Sequence, residues 1–355
     1  AYMVLVQLTR TSRRRHPLDF ERLPARPGRG RSAWVCAICA GVWLTSSAAD
    51  LAAQAHPVPP DSTPRTLEPL RPTVARPLVI GSASVLTVAL DSIARPPASS
   101  LGELIRDMPL IRARDNSRGE THLTLRGSES RQVSVTLDGI PLTIGWDNRT
   151  DLSVIPLTGA YRLAAVRGLT SLLAGPNVLG GVVGISVAPP TVPSGIDRPF
   201  SARASVAGGR SGAFDLGLRH GFGLGNTRLL LTGGGGYRSR DHQPMSNRIQ
   251  QPPTAAPGER LNSDFDQWNA FLAGRIENAA GTWGSLSSMA FGAERGVPPE
   301  LHVVDPRKWR LPTTRRWVTV LGMGTTLGGT SNGRGTVGLR AAADVGDVEI
   351  EEYET

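Results

Sequence analysis

Residues 199–355 contain short segments in which apolar and polar side chains alternate, and this pattern constrains the fold more than any other feature. Successive side chains of a β-strand point to opposite faces, so strict alternation predicts a strand with one apolar and one polar face. Four segments alternate in this way, although Phe271 interrupts the polar face of the third: 200–206, 214–219, 267–276 and 336–345. Segments near 227–238, 282–292 and 315–327 are less regular. Together they predict about seven strands.

The connections between these segments alternate in length. Short turns are predicted near 222–226, 278–281 and 328–333, and long polar loops rich in proline at 239–264 and 294–314. Consecutive antiparallel strands place their connections at opposite ends of a sheet in turn. The pattern therefore predicts an antiparallel sheet with short turns at one end and long loops at the other.

A glycine-rich stretch, residues 167–187, precedes these strands. It contains five glycines among apolar residues and no side chain suited to catalysis. Glycine at this density indicates a backbone that turns tightly or approaches other backbone closely. The stretch lacks the Gly-Lys-Ser/Thr ending of a phosphate-binding loop, which argues against a nucleotide-binding enzyme.

The region from residue 78 to this stretch predicts a small α+β domain with a mixed sheet. Ser100 and Glu103 form a capping box for a short helix, which Pro109 ends. Residues 121–126 and 132–137 alternate as strands, and Asp138-Gly139 is a tight turn. Pro156 predicts the first turn of a second short helix that ends near Leu163.

Five motifs occur here in a fixed order: LGELIRDMPLIR, LTLRG, RQVSVTLDGIPL, DLSVIP and VRGLTSLLAGPNVLGGVVGISV. This series resembles the plug domain of TonB-dependent outer-membrane receptors. The resemblance implies an α+β plug domain at 78–190, followed at 199–355 by the first part of an antiparallel transmembrane β-barrel. Complete barrels of such transporters have about twenty-two strands. We therefore expect a truncated product or partial sequence with about seven strands.

Two departures from the family pattern occur within the glycine-rich stretch. Val183-Gly184-Ile185 replaces the usual ending of a branched residue followed by asparagine, and Leu173-Ala174 replaces a common aromatic residue before Gly175.

The N-terminal region predicts export. Residues 33–49 are apolar, follow Arg29 and Arg31, and precede a small-x-small cleavage site at 53–55. This arrangement is typical of a secretory signal peptide, with a membrane-anchoring helix as the alternative. We assign 1–55 to an N-terminal extension with signal peptide, and 56–77 to a proline-rich periplasmic linker. Both cysteines lie in the apolar run, so their C-x-x-C spacing is interpreted as accidental.

Charge and site chemistry exclude several function classes. The net charge is +9, but residues 1–31 hold eight arginines, so most of the basic character lies in the predicted extension, and no nucleic-acid partner is expected. The sequence contains neither a nucleophile–base pair nor a cluster of carboxylates, so we do not expect an enzyme. His242 and His302 lie on different loops without ligand spacing, so we predict neither a metal site nor a cofactor.

The resemblance implies a receptor in the outer membrane of a Gram-negative-type bacterium. Such receptors bind scarce ligands, such as a ferric siderophore or cobalamin, and import them with energy from the inner-membrane protein TonB. Their partners are TonB with its energising complex, outer-membrane lipid and the small-molecule ligand. TonB pairs as an added strand with a short segment, the TonB box, for which our candidate is Leu78, Val79 and Ile80. A plain linker is the alternative for this segment.

Ligand contacts are expected from apical loops, because arginine suits anionic chelates and tryptophan suits flat organic surfaces. The candidates are Arg112, Arg114, Trp146, Asp147, Asn148 and Arg149. Solvated loop positions are the alternative for each. The residues of the plug motif are Arg126, Gly127, Asp138, Gly139, Pro141, Arg167, Gly168, Gly175, Gly180 and Gly181. We expect Arg126 and Arg167 to hold the plug against barrel carboxylates.

A different class of function is also open. The chain could be a truncated, non-transporting remnant, or an outer-membrane adhesin or porin-like binding protein. Porins need no plug, so the plug motifs argue against the porin-like interpretation. We expect the complete gene to continue into further alternating strands.

Overall fold

The computed structural model describes most of the chain outside residues 17–78. The described ranges are 2–16, 79–80, 83–109, 111–116, 118–142, 149–168, 178–189, 191–192, 200–207, 210–249, 257–303, 306–330 and 333–353. The predicted cleavage site and the proline-rich linker lie outside them.

The described elements are sixteen strands and a six-residue α-helix, with a 3-10 turn at Ser130–Gln132. The strands of the N-terminal half are β1 Tyr2–His16, β2 Val79–Ile80, β3 Ala83–Ala89, β4 Ile111–Asp115, β5 Thr121–Leu125, β6 Val133–Leu137, β7 Ile140–Pro141, β8 Arg162–Arg167 and β9 Gly181–Ser186. Helix α1 is Leu101–Arg106. The long strands are β10 Phe200–Ala207, β11 Ser211–Leu224, β12 Thr227–Arg240, β13 Phe265–Asn278, β14 Trp283–Val297, β15 Trp309–Thr330 and β16 Gly333–Tyr353.

Strands β10 to β16 form one antiparallel meander in which each strand pairs with the next along the chain. The seven strands agree with the predicted number, and tight turns join β11 to β12 and β13 to β14 at one end. The described parts of the loops 241–264 and 298–308 lie at the opposite end. Among the described residues no pairing joins the two outer strands of the sheet, so the sheet is not closed into a barrel.

One predicted long loop is shorter than expected. The sequence assigned 294–314 to a loop because of its prolines, but β14 continues to Val297 and β15 begins at Trp309. The register between β15 and β16 shifts between Arg310 and Thr313, around Pro312. A bulge tolerates a proline because the extra residue donates no ladder hydrogen bond.

The long sheet has two chemically different faces. Its outer face exposes large apolar side chains along several strands, and Trp268 and Leu272 show the pattern clearly at 44% and 51% exposure. The intervening residues Gln267 and Asn269 are buried on the inner face. Phe271, the residue that broke the predicted alternation, packs on this inner face against Gly159 of the α+β domain. The exception to the alternation is thus a packing contact.

The α+β domain is built on a six-stranded mixed sheet with the order β2-β3-β8-β9-β6-β7, in which β6 and β9 are parallel. Strands β4 and β5 form a separate antiparallel pair. Helix α1 begins with the predicted capping box: Ser100 Oγ accepts a hydrogen bond from the Glu103 amide, and Glu103 accepts one from the Ser100 amide. Both bonds satisfy amides that the first helical turn leaves unpaired.

The predicted second helix at Pro156 is wrong. Pro156 forms an isolated bridge with Ser100, and residues 162–167 extend as β8 between β3 and β9. The two strand partners satisfy the backbone of this segment along its whole length. Tertiary pairing therefore overrides the local proline signal.

The core of the α+β domain continues into the inner face of the long sheet. Leu101, Leu125 and Leu163 are fully buried in the domain, and Met289 and Val318 of the long sheet belong to the same apolar cluster. The domain is therefore seated on the sheet by shared apolar packing.

The N-terminal segment forms an eighth strand of the long sheet. Strand β1 pairs in parallel with β16, and Arg13 and Arg15 approach Glu352 while Arg14 approaches Glu349. The prediction for residues 1–55 did not include this strand. Within the described part of the chain, no helix has the length and apolar character needed to cross a membrane.

Candidate functional site

A cavity of about 830 Å³ lies between the α+β domain and the end of the long sheet that carries the long loops. The domain contributes residues near the start of α1 and around Gly119 and Ser153. The sheet contributes the last residues of β12 and β14, together with both long loops. The volume is in the range of small-molecule binding sites.

Arg238 of β12 joins the sheet to the start of α1. One of its guanidinium nitrogens donates to Glu103 at 2.5 Å, and another donates to the Ser153 carbonyl oxygen at 2.7 Å. The neighbouring residue of β13, Gln267, donates through its amide to the Val154 carbonyl oxygen at 2.6 Å. These bonds fix the wall of the cavity where the helix begins.

Among the described residues, Arg295 of β14 forms the most buried ion pair between the two parts. Its guanidinium donates to Asp151 Oδ2 at 2.7 Å, Ser153 Oγ at 2.8 Å and the Gly119 carbonyl oxygen at 2.8 Å. The side chains of Arg295 and Asp151 are 7% and 9% exposed. The other carboxylate oxygen of Asp151 accepts bonds from the Thr121 and Ser153 amides. Both ions of the pair are therefore hydrogen-bonded, as buried charges require.

Arg316 of β15 provides a third anchor. It forms a two-point ion pair with Asp344 of β16 and donates to the Leu142 carbonyl oxygen at 2.6 Å. Leu142 follows the Asp138-Gly139 turn and β7, so this bond joins the segment after the turn to β15 of the long sheet.

The Asp138-Gly139 turn has the backbone geometry that its sequence predicts. Both residues have positive φ values, 47° and 89°, which match the two-residue turn favoured by Asp-Gly. Asp138 accepts bonds from the Val187 and Ala188 amides and from Ser287 Oγ of β14. Burial raises the pKa of the Asp138 carboxyl, and the bonds from these donors act in the opposite direction.

The glycines of the stretch 167–187 permit close backbone approach. Gly181 has φ +143°, and a Cβ there would lie 2.2 Å from the Val166 carbonyl oxygen. A Cβ at Gly180 would lie 2.2 Å from Ser128 Oγ. Gly168 also has a positive φ and donates its amide hydrogen to the Gly180 carbonyl oxygen. Gly175 lies outside the described residues.

The remaining motif residues lie in turns and short strands. Arg126 and Gly127 both have positive φ values in the turn after β5, and Pro141 is in β7. Arg167, at the end of β8, forms no ion pair among the described residues. The expectation that Arg167 binds a barrel carboxylate is therefore unsupported in that part of the chain. The ion pairs Arg238–Glu103 and Arg295–Asp151 run in the opposite sense, from sheet arginines to domain carboxylates.

The predicted ligand residues are placed only in part. Arg112 and Arg114 are exposed on β4 and do not line the cavity, whereas Asp115 at the end of the same strand does. Arg149 is half-buried just before Asp151, and Trp146, Asp147 and Asn148 lie outside the described residues.

The candidate TonB box lies at the edge of the domain sheet. Val79 and Ile80 form β2, which pairs with β3 and ends the strand order of the sheet. Leu78 lies outside the described residues.

A polar cluster stabilises the turn between β4 and β5, which contributes Asn116 and Gly119 to the cavity lining. Asn116 donates to Glu120 at 2.5 Å, and His122 lies 3.4 Å from the same carboxylate oxygen. Burial would raise the pKa of Glu120, but hydrogen bonds from His122 and Asn116 and the charge of Arg118 lower it to about 2. Glu120 is thus a carboxylate at neutral pH.

The sheet arginines were not identified from the sequence. Arg295 was assigned to a loop, and Arg238 lies in a segment whose alternation was irregular. The signal that could have identified them is their position on the polar face of a strand, which is the face that contacts the α+β domain. Among the described residues, no group of three or more His, Cys, Asp or Glu side chains is arranged to hold a metal ion.

The α+β domain matches a known family. Residues 80–182 match the family described as TonB-dependent Receptor Plug Domain. The vitamin B12 transporter BtuB of Photobacterium profundum is 29% identical over 167 residues, which cover 44% of this chain and 26% of the relative. BtuB of Vibrio cholerae serotype O1 (strain M66-2) is 34% identical over 105 residues, 29% of this chain and 17% of the relative. The match thus spans about a quarter or less of these curated relatives.

A solved structure shares the fold. The copper transporter OprC superposes with a TM-score of 0.50 at 14% identity, over 68% of this chain and 34% of that chain. At this identity the likeness concerns the fold alone.

Proposed function

We propose that this chain, which carries the plug domain of a TonB-dependent receptor, acts as an outer-membrane receptor that takes up a scarce external ligand. The observation that carries the proposal is the seating of a plug domain on the polar inner face of a strand meander, with a cavity at the long-loop end. Placing the long loops outside the cell and the short turns in the periplasm follows the usual orientation of outer-membrane barrels. In that orientation the cavity faces the exterior.

The faces of the sheet support a membrane location. The outer face exposes apolar side chains such as Trp268, Leu272 and Trp317, and exposed apolar side chains on this face fit contact with outer-membrane lipid. The inner face carries the arginines that bind the plug. This distribution is the one expected when lipid lies on one side and a filled lumen on the other.

The energy-coupling partner is proposed to be TonB, by strand addition near the plug's edge strand. Strand β2 pairs with β3 on one side and has no strand partner on its other side among the described residues. An edge strand offers backbone donors and acceptors to an added strand. Residues 78–80 are therefore our candidate contact with TonB.

Uptake measurements in cells test this function. A strain that lacks its own receptors would express the gene, and accumulation of radiolabelled cyanocobalamin and of ferric chelates would be compared with and without TonB. We expect TonB-dependent uptake of at least one ligand. An Ile80→Pro variant removes an amide from β2 and should reduce uptake, whereas the matched Ile80→Val variant should not. Uptake that persists without TonB would contradict the proposal.

The alternative is a binding protein or remnant without transport. The observation that favours it is that the long sheet is not closed among the described residues. In lipid, unpaired backbone groups at an open edge cost several kcal/mol each. Ligand binding without accumulation inside the cell would support this alternative over the receptor.

A further inference from the structure

The cavity contains five arginines, and they differ in what they bind. Arg238 and Arg295 hold the plug, and Arg106 forms an ion pair with Asp115. Arg240 and Arg260 have no ion pair among the described residues, although both line the cavity. Two cations therefore remain beside the space that a ligand would fill.

Each carboxylate that lines the cavity forms its ion pair with an arginine other than Arg240 and Arg260. Glu103 pairs with Arg238, and Asp115 pairs with Arg106. On the loop side the two remaining pairs are Asp264 with Arg310 and Glu300 with Arg307.

Arg240 and Arg260 contact neutral acceptors instead. Arg240 reaches the Ser263 carbonyl oxygen at 3.4 Å from two of its nitrogens, which is a long contact. Arg260 donates to the Pro299 carbonyl oxygen at 2.9 Å and reaches the Met245 sulfur at 3.8 Å. These acceptors leave most of the guanidinium donors available, because each guanidinium has five N–H groups.

The buried Ser263 holds the base of the first long loop, so the two arginines are positioned and not merely exposed. Ser263 is 2% exposed. Its hydroxyl accepts a bond from the Gln243 amide at 2.7 Å and donates to the Arg260 carbonyl oxygen at 2.6 Å. The Arg260 amide in turn donates to the Gln243 carbonyl oxygen. Both arginines therefore extend from one braced loop base.

We infer that Arg240 and Arg260 form a subsite for an anionic oxygen-bearing group of the ligand, such as a carboxylate or a phosphate. Guanidinium binds such groups through paired, charge-assisted hydrogen bonds. The inference rests on the proposed function in that the cavity is the ligand site of the receptor. It adds the charge class of the ligand and the residues that select it.

Titration calorimetry with the full chain in detergent micelles tests this subsite. The probes are citrate and inorganic phosphate as the two anions, and cyanocobalamin as a probe without a net anionic charge. Loss of one charge-assisted contact should weaken anion binding roughly tenfold. We therefore expect this change in Kd for Arg240→Gln and for Arg260→Gln, and no measurable binding for the double variant.

Arg248→Gln is the matched control, because Arg248 is an exposed arginine of the same loop that does not line the cavity. Its Kd for the anions should stay within about twofold of the parent value, since a solvent-exposed charge outside the cavity is screened by salt. Arg240→Lys and Arg260→Lys keep the charge and should show an intermediate loss. Far-UV circular dichroism would confirm that each variant retains its sheet.

Three results would overturn the subsite. They are absence of binding of both anions to the parent chain, unchanged anion binding by the double variant, and an equal loss in Arg248→Gln. Cyanocobalamin separates the two claims. If cyanocobalamin binds while neither anion does, the receptor function stands and the anionic subsite is wrong. If the parent chain binds one of the two anions more tightly, that preference shows whether a carboxylate or a phosphate is favoured.

Discussion

Replacing Arg295 with methionine is expected to destabilise the seating of the plug by about 3 kcal/mol, because it removes one partner of a buried ion pair. The structure shows where the cost arises. Asp151 Oδ1 keeps its bonds from the Thr121 and Ser153 amides, but Oδ2 loses the guanidinium at 2.7 Å. Methionine retains most of the side-chain volume, so the loss concerns charge and hydrogen bonds and not a cavity.

Two measurements check this value. Urea unfolding of the chain in detergent micelles gives the free energy of unfolding, and hydrogen exchange followed by mass spectrometry reports on the Thr121 and Ser153 amides. We expect faster exchange at both amides in Arg295→Met. The double variant with Asp151→Asn removes the unpaired charge and should recover part of the lost stability.

Arg228→Met is the matched control. Arg228 pairs with Glu277 at 2.8 Å, a similar distance, but its side chain is 52% exposed, against 7% for Arg295. Glu277 is 12% exposed but keeps Arg275 at 3.2 Å when Arg228 is replaced, so the loss should stay near the value of about 0–1 kcal/mol for an exposed ion pair. The reasoning is refuted if Arg295→Met costs no more than Arg228→Met, or if the double variant is as unstable as the single one.

Three further predictions concern the plug. Gly181→Ala should prevent stable folding of the plug, because its Cβ would lie 2.2 Å from the Val166 carbonyl oxygen at φ +143°; circular dichroism and protease resistance measure this, and a resistant variant would contradict it. Ser100→Ala should cost about 1 kcal/mol through loss of the helix cap, measured by urea unfolding against Ser92→Ala, which lies outside the helix. The depressed pKa of Glu120, about 2, contributes stability that is complete above its unfolded-state pKa of about 4.3 and declines as the pH falls toward 2. Thermal melts of Glu120→Gln and the parent should therefore converge over that range, and a constant difference would argue against the assigned bonds.

Local signals in the sequence predicted the parts of the fold that depend on local chemistry. The Ser100–Glu103 capping box and the Asp138-Gly139 turn form as expected, because each is satisfied by residues a few positions apart. The alternation of apolar and polar residues predicted the seven long strands, because the two faces of the sheet differ in polarity. The helix predicted at Pro156 failed because the partners of β8 are distant in sequence and have no local signature.

The cavity was less predictable, since its residues come from segments far apart in the chain, between Pro96 and His302. Ligand residues were sought on plug loops, yet four of the five arginines that line the cavity lie on strands and loop bases of the sheet. Phe271 illustrates the limit: the sequence marked it as an irregularity, but its packing against Gly159 requires the plug and the sheet to be placed together.

The distribution of bonds across the plug and sheet bears on how the proposed receptor could work. The anchors at Arg238, Arg295 and Arg316 end on carbonyl oxygens and carboxylates of the plug. Water can replace such bonds, so parting them costs less than the strength of the bonds suggests, whereas the apolar cluster around Phe271 and Met289 has no such substitute. Rearrangement is therefore expected to begin at the polar anchors that line the cavity, Arg238 and Arg295, before the apolar cluster separates. A ligand in the cavity would lie beside these two anchors, because both line it, and could therefore act directly on the plug's polar contacts with the sheet.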